Sequence, residues 1–115
     1  MNQNPMVKAR HGEEVSSMNI EKKKQGSTVE LKLTGWLDTN TVPVLEREVE
    51  ALDDSVTNVI LDFSELEYIS SAGLRQIVTI YKKMNGNLKL RNVSGEIMNI
   101  LRMTNLDKKI SIEPC

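Results

Sequence analysis

The feature that most constrains the fold of this chain is a buried strand followed by a helix, within residues 59–84. The apolar run Val59-Ile60-Leu61 is typical of a strand buried on both faces, and a polar stretch, residues 62–67, follows it as a predicted loop. Apolar residues then recur at helical spacing: Leu74, Ile77, Val78 and Tyr81. A helix of about thirteen residues is predicted, ending at Asn85-Gly86-Asn87, where a left-handed conformation is tolerated.

A second strand, Leu88-Lys89-Leu90, follows this helix. A strand, a helix and a strand form a βαβ unit, whose two strands should be parallel and whose crossover should be right-handed. The unit therefore predicts a sheet with a helix packed against it.

The segments on either side extend the same pattern. Apolar residues alternate with polar ones before and after a turn at Gln25-Gly26-Ser27, which predicts a hairpin with one buried and one wet face: Met18, Ile20, Val29, Leu31 and Leu33. After Gly35, a helix is predicted with Pro43 in its first turn and one of four residues as its N-cap: Asp38, Thr39, Asn40 or Thr41. Its buried stripe should be Val42, Leu45, Val49 and Leu52.

Near the end of the chain, Ser94 is a plausible cap for a helix over Gly95–Met103. Its apolar positions should pack on the sheet: Ile97, Ile100, Leu101 and Met103. A short strand at Ile110-Ser111-Ile112 completes an α/β domain over residues 18–115, with a small mixed sheet and helices mainly on one side. Residues 1–17 lack apolar periodicity and are interpreted as a flexible extension, or as a cloning or start-site artefact.

Composition and charge remove several classes of function. The chain has 115 residues, enough for one modest core, and a net charge of −1 with acids and bases mixed along it. This balance predicts no direct nucleic-acid binding, and no stretch approaches the ~20 apolar residues of a membrane span. Cys115 is the single cysteine, so a cytoplasmic location fits best.

No catalytic, metal or cofactor site emerges from the sequence. His11 is the single histidine and lies in the polar leader, and no phosphate-binding glycine motif occurs. The acidic residues that could bind a hard cation are irregularly spaced, so no metal site is predicted: Asp38, Asp62, Glu65 and Glu67. Trp36 is interpreted as a packing residue at a strand end, a reading that an exposed ring would reverse.

Two adjacent hydroxyls, Ser70 and Ser71, stand where the predicted loop becomes a helix. From physical reasoning alone, helix capping is the favoured role, because serine is a preferred N-cap. The alternative is a phosphorylation site, since a phosphate at a helix N-terminus meets unpaired N–H donors and the positive end of the dipole.

Two motifs carry a family resemblance. Gly35-Trp36-Leu37-Asp38 and the stretch from Leu61 to Leu74 closely resemble the STAS domains of bacterial anti-sigma factor antagonists, over about residues 18–112. The resemblance implies a STAS fold and places the family's phosphoacceptor on Ser71. The family often has Asp at the position of Ser70, which is therefore a competing acceptor. The residues implied at the partner surface are Asp38, Thr39, Ser70, Ser71, Ala72, Gly73, Leu74 and Arg75.

The resemblance also implies a regulatory function without enzymatic activity. In such proteins the unphosphorylated domain binds an anti-sigma factor that is also a GHKL-type serine kinase, and this releases the sigma factor. The kinase inactivates the antagonist by phosphorylating the serine, and a PP2C-type phosphatase restores it.

The sequence leaves two alternatives open. The chain could be a STAS subunit that serves another partner, in a lipid-transport complex or a diguanylate cyclase pathway. It could instead be a small nucleotide- or metabolite-binding protein or enzyme, which would require a deep apolar pocket with converging polar groups.

Overall fold

Five strands and three α-helices make up the regular structure of the part of the chain that the structure describes. A computed structural model describes residues 18–115, so the interpretation of residues 1–17 lies outside the described part. In chain order the elements are β1 (Met18–Gln25), β2 (Thr28–Leu37), α1 (Val42–Glu50), β3 (Asn58–Ile69), α2 (Ser71–Lys83), β4 (Leu88–Val93), α3 (Gly95–Met103), a 3₁₀ turn (Leu106–Lys108) and β5 (Ser111–Pro114).

The strands form one mixed sheet in the order β1-β2-β3-β4-β5. β1 and β2 pair as the predicted antiparallel hairpin, with Gly26 at φ +62° in the turn, where glycine is unstrained. The other neighbouring pairs are parallel. The predicted βαβ unit, β3-α2-β4, is therefore confirmed, and the turn after α2 contains Asn85 and Gly86, both with positive φ.

The predicted loop at residues 62–67 is wrong, because β3 continues through it to Ile69. β3 stays paired with β2 because it contains two residues more than β2 over the same stretch of the pairing. It advances from Asp62 to Glu65 while β2 advances only from Lys32 to Thr34, and a second shift follows between Gly35 and Trp36. Such bulges hide the period-2 pattern by which strands are recognised. Ile60 is only half-buried, so this strand is not buried on both faces as predicted.

One face of the sheet forms the core. In β2, Val29, Leu31 and Leu33 are fully buried, whereas the alternating Glu30 and Lys32 are half-buried on the opposite face. The helices join the same buried cluster through Leu45, Val49, Ile77, Ile80, Ile97 and Leu101. The prediction of helices mainly on one side is confirmed.

The opposite face of the sheet is polar. Arg91 lies 3.4 Å from Glu30 and 3.4 Å from Glu113, and Lys89 lies 3.0 Å from Glu113. These ion pairs are substantially exposed to solvent, so each contributes little to stability. Their effect is to keep this face charged and hydrated.

The two outer strands differ from the central ones. β1 carries the exposed run Lys22-Lys23-Lys24, and β5 has only four residues and includes Pro114. β5 begins one residue later than predicted, at Ser111, and Ile110 is buried just before it.

The predicted helix α3 is confirmed, with Ser94 accepting a hydrogen bond from the amide of Ile97 at 3.3 Å. Met103 was predicted to pack on the sheet but is 81% exposed. It is the last residue of α3, and the buried stripe of this helix is formed by Ile97 and Leu101.

Candidate functional site

The two adjacent hydroxyls at the start of α2 have different environments. Ser70 is the N-cap: its backbone is extended, with φ −97° and ψ 176°, and its Oγ accepts a hydrogen bond from the amide of Gly73 at 3.2 Å. Ser71 is the first residue of the helix, and it is exposed. Capping, the favoured role for this pair, is therefore carried by Ser70 alone, and Ser71 is left to present its hydroxyl to solvent.

The first turn of α2 is held against the end of β2. The amide of Ser70 donates to the carbonyl of Leu37 at 2.9 Å. A Cβ atom on Gly73 would lie 2.8 Å from the same carbonyl oxygen and 2.9 Å from the side chain of Ile69. Only a residue without a side chain allows the helix to approach the sheet this closely.

The loop between β2 and α1 is organised by Asp38 and Thr41. An Oδ1 atom of Asp38 accepts hydrogen bonds from the amides of Asn40 at 3.0 Å and Thr41 at 3.2 Å. The hydroxyl of Thr41 is buried, donates to the carbonyl of Trp36 at 2.7 Å and accepts from the amide of Asp38 at 2.9 Å. These bonds fix the loop directly after β2.

The predicted N-cap of α1 is only partly correct. Thr41 occupies the cap position, but its side chain makes no capping hydrogen bond because it bonds back to the end of β2. Pro43 lies in the first turn as predicted. The sequence did not reveal the structural role of Thr41; the Asp-x-x-Thr spacing at the end of a strand was the available signal.

The predicted partner-surface residues come from two neighbouring segments. The Asp38 loop follows β2 and the start of α2 follows β3, and the carboxyl ends of these parallel strands meet at one edge of the sheet. Thr39, Ser71 and Arg75 are exposed, and Ser71 and Arg75 lie four residues apart on one helical face. The others are half-buried, except the buried Gly73: Asp38, Ser70, Ala72 and Leu74.

An exposed pair of aromatic rings beside this surface was missed. Trp36 and Tyr68 are each 45% exposed, and their ring centroids lie 5.1 Å apart at an interplanar angle of 49°. The interpretation of Trp36 as a packing residue is therefore wrong. The alternation of β2 was the available signal, because it places Trp36 on the same face as Glu30 and Lys32, opposite the buried Leu37.

The carboxylate of Asp62 has a structural role, because it links β3 to the end of β4. Its Oδ1 accepts hydrogen bonds from the amide of Ser64 at 2.9 Å and from the side-chain amide of Asn92 at 3.1 Å. Burial opposes its ionisation, but the Ser64 and Asn92 hydrogen bonds and the charge of Lys32 outweigh burial, so its pKa is lowered. Within residues 18–115, no three His, Cys, Asp or Glu side chains are grouped to hold a metal ion.

Two open clefts lie away from the site. One is lined in part by Thr28, Asn58 and Leu88, at the amino ends of their strands, and the other in part by Leu52 and Asn85. Neither includes a residue of the predicted partner surface. In the described part of the chain, no helix is both long and apolar enough to span a bilayer.

Comparison with known proteins defines the class of this protein. The family model described as the STAS domain matches residues 19–114, and the chain belongs to this family. A curated relative from Staphylococcus aureus (strain NCTC 8325), named an anti-sigma-B factor antagonist, is 31% identical over 94 residues, covering 78% of this chain and 87% of the relative.

Solved structures share the fold. An anti-sigma factor antagonist from Mycobacterium paratuberculosis superposes with a TM-score of 0.77 at 22% identity, covering 86% of this chain and 87% of the other. The Bacillus cell fate determinant SpoIIAA, solved in its phosphorylated form, gives a TM-score of 0.65 at 20% identity, covering 84% of this chain and 90% of the other.

Proposed function

We propose that this chain is an anti-sigma factor antagonist whose unphosphorylated form binds an anti-sigma factor and so releases a sigma factor. The anti-sigma factor would carry a GHKL-type serine kinase domain and act in the cytoplasm. Membership of the STAS family and the name of the Staphylococcus aureus relative support the proposal. The observation that carries it is the exposed hydroxyl of Ser71 at a helix start already capped by Ser70.

Ser71 is proposed as the phosphoacceptor, with Ser70 as the rival. A kinase must reach the hydroxyl and withdraw its proton, and the exposed Ser71 meets this requirement without disturbing the fold. The Oγ atom of Ser70 instead already accepts a hydrogen bond from the amide of Gly73, so a kinase would have to disturb the helix cap to reach it. SpoIIAA, which shares this fold, has been solved in a phosphorylated form, which is compatible with a domain that remains folded when modified.

The phosphate should weaken partner binding without unfolding the domain. A phosphoserine adds about −1.5 to −2 charges, and at the first turn of α2 it would lie near N–H donors and the positive end of the helix dipole. The loop of Asp38 lies beside the first turn of α2, so the modified surface would carry two negatively charged groups, the phosphate and the carboxylate. Both would have to lose water when a partner binds. Leaving such a charge unpaired in an interface costs on the order of 2–5 kcal/mol. A PP2C-type phosphatase would restore the binding form.

The proposal is tested by measuring phosphate transfer from a kinase to this chain and by mapping the phosphorylated residue. Each GHKL-type anti-sigma factor kinase encoded by the source organism is purified and incubated with ATP and the full chain, and phosphopeptides are mapped by mass spectrometry. Phosphate should appear on Ser71 of the unmodified sequence and of Ser70→Ala, and be absent from Ser71→Ala. Phosphate on Ser70 in Ser71→Ala would overturn the choice of acceptor.

Binding measurements complete the test. Ser71→Ala should bind the kinase with unchanged affinity, whereas Ser71→Asp should bind more weakly at an unchanged melting temperature. If no purified kinase binds or phosphorylates the chain, the proposal of an anti-sigma factor antagonist is wrong.

A further inference from the structure

We infer that Trp36 and Tyr68, hereafter the aromatic pair, anchor the anti-sigma factor kinase on this surface, while Ser71 controls whether it stays bound. The inference rests on the proposed function, since it names how the same partner is held. It adds a source of affinity on the sheet that is separate from the phosphorylated hydroxyl on α2.

The aromatic pair is exposed in the isolated domain. Among the described residues, three large hydrophobic side chains are exposed: Trp36, Tyr68 and Met103. Two of the three contact each other, with ring centroids 5.1 Å apart. In the isolated domain these two rings do not gain the free energy that burial would provide, so a partner that covers them would gain it. Aromatic residues are also among those that most often dominate the binding energy at interfaces.

The position of the pair makes it continuous with the proposed interface. Trp36 and Tyr68 are register partners across β2 and β3. The next register pair is Leu37 and Ile69, and the residues after these are Asp38 and Ser70. The aromatic pair therefore lies two residues from each of the two segments that form the predicted partner surface.

The irregularity of β3 produces the contact between the rings. Continuing the register of Lys32 with Asp62 without interruption would place Leu66 opposite Trp36. The two extra residues in β3 shift the pairing so that Tyr68 takes that place and Leu66 instead pairs with Gly35 and is buried. Bulges commonly re-aim side chains beside functional sites in this way.

The charge around the pair defines the chemistry of the partner. Away from the pair, the same face of the sheet is covered by ion pairs of Lys89 and Arg91. Next to the pair, Glu65 and Glu67 are exposed and form no ion pair within residues 18–115. The matching surface of the kinase should therefore be an apolar recess bordered by arginine or lysine. These cationic side chains can pair with the two carboxylates and stack on the rings.

Trp36 provides a direct reporter, because it is the single tryptophan of the chain. Free protein should show tryptophan emission that iodide quenches readily. Titration with the kinase that phosphorylates Ser71 should shift the emission to shorter wavelength and protect it from iodide. An emission unchanged at saturating kinase would overturn the inference.

Two substitutions measure the contribution of the pair to affinity. Trp36→Thr and Tyr68→Thr replace an aromatic residue by a β-branched one, and both kinds favour strands, so the fold should persist, as circular dichroism and the melting temperature will show. Each should weaken kinase binding about 30-fold or more, the loss typical of an interface hot spot. Met103→Thr, at the exposed end of α3, is the matched control and should change the affinity less than about threefold.

The outcomes separate this inference from the proposed function. If the unmodified chain binds the kinase and both threonine variants bind as tightly, the anchor is wrong and the antagonist function stands. If no kinase binds the unmodified chain, both are wrong. Emission already protected from iodide in the free chain would mean that the chain's own residues cover the pair, and a concentration-dependent shift without kinase would indicate a second copy. Either result overturns the inference.

Discussion

The amide of Ser70 lies 2.9 Å from the carbonyl oxygen of Leu37, and this hydrogen bond joins the start of α2 to the end of β2. β2 and β3 are adjacent parallel strands, and this backbone hydrogen bond keeps the segment that follows β3 next to the segment that follows β2. The residues proposed to meet a partner are consequently placed by the loop between β2 and α1 and by the direct passage from β3 into α2.

The division of roles between the two serines can be tested without a kinase. Ser70→Ala removes the acceptor for the amide of Gly73 and should lower the free energy of unfolding by about 1 kcal/mol, as for other lost N-caps. Ser71→Ala should change it by less than about 0.5 kcal/mol, because the side chain is exposed. Urea unfolding of both variants measures the difference, and equal losses would contradict it.

Gly73 should not tolerate a methyl group. In Gly73→Ala the new Cβ would lie 2.8 Å from the Leu37 carbonyl oxygen, an atom that also accepts from Ser70 and cannot move freely. Overpacking exceeds the gain in helix propensity, so a net loss of about 1–2 kcal/mol is expected in urea unfolding.

Gly95→Ala is the matched control for Gly73→Ala. Gly95 begins α3 with open space around the position of a Cβ, so alanine there should be neutral or stabilise by up to about 1 kcal/mol. A Gly73→Ala protein as stable as Gly95→Ala would show that the close approach of α2 to β2 is not required.

The buried hydroxyl of Thr41 should stabilise the Asp38 loop. Thr41→Val keeps the shape of the side chain but leaves the carbonyl of Trp36 and the amide of Asp38 without this partner. A loss of about 1–3 kcal/mol is expected from thermal or urea unfolding, the cost of buried groups without hydrogen bonds. Thr39→Val, two residues away and exposed, should change stability by less than about 0.5 kcal/mol.

Asp62 should make stability depend on acid pH. Its pKa in the folded protein is lowered from its ordinary value of 3.8, so the stabilisation is fully present above that value. It is lost as the pH falls through the lower, folded-state pKa. Urea unfolding between pH 2 and 6 should therefore show a loss in the unmodified protein that is smaller in Asp62→Asn.

A second variant identifies the hydrogen bond responsible. Asn92→Gly removes the donor to Asp62 and suits the positive φ of 59° at this position. The folded-state pKa of Asp62 should move up towards its ordinary value, which narrows the pH range over which stability is lost. An identical pH profile in Asn92→Gly would show that Asn92 does not contribute to the shift.

Much of the fold was predictable because it depends on local periodicity. The hairpin, the βαβ unit and α3 follow from apolar spacing and turn residues that act within a few positions. The continuation of β3 through residues 62–67 was not predictable, since it depends on pairing with β2 and on the hydrogen bond from Asn92 to Asp62, both of which join residues distant in sequence.

The structural setting of the candidate site was predictable only in part. The sequence placed Ser70 and Ser71 at a helix start, but which of them caps the helix depends on the residue at which helical geometry begins. Trp36 was interpreted as a packing residue although the alternation of β2 indicated its exposure, and its contact with Tyr68 required the two extra residues of β3.

The outer strands also limit how copies of this domain can associate. An unprotected edge strand offers its backbone to any neighbouring chain, and proteins discourage this with lysine, proline and short strands. β1 has three consecutive lysines and β5 is four residues long with Pro114. Growth of the sheet from one molecule to the next is thus disfavoured at either edge, so copies of the domain have little tendency to join through their backbones.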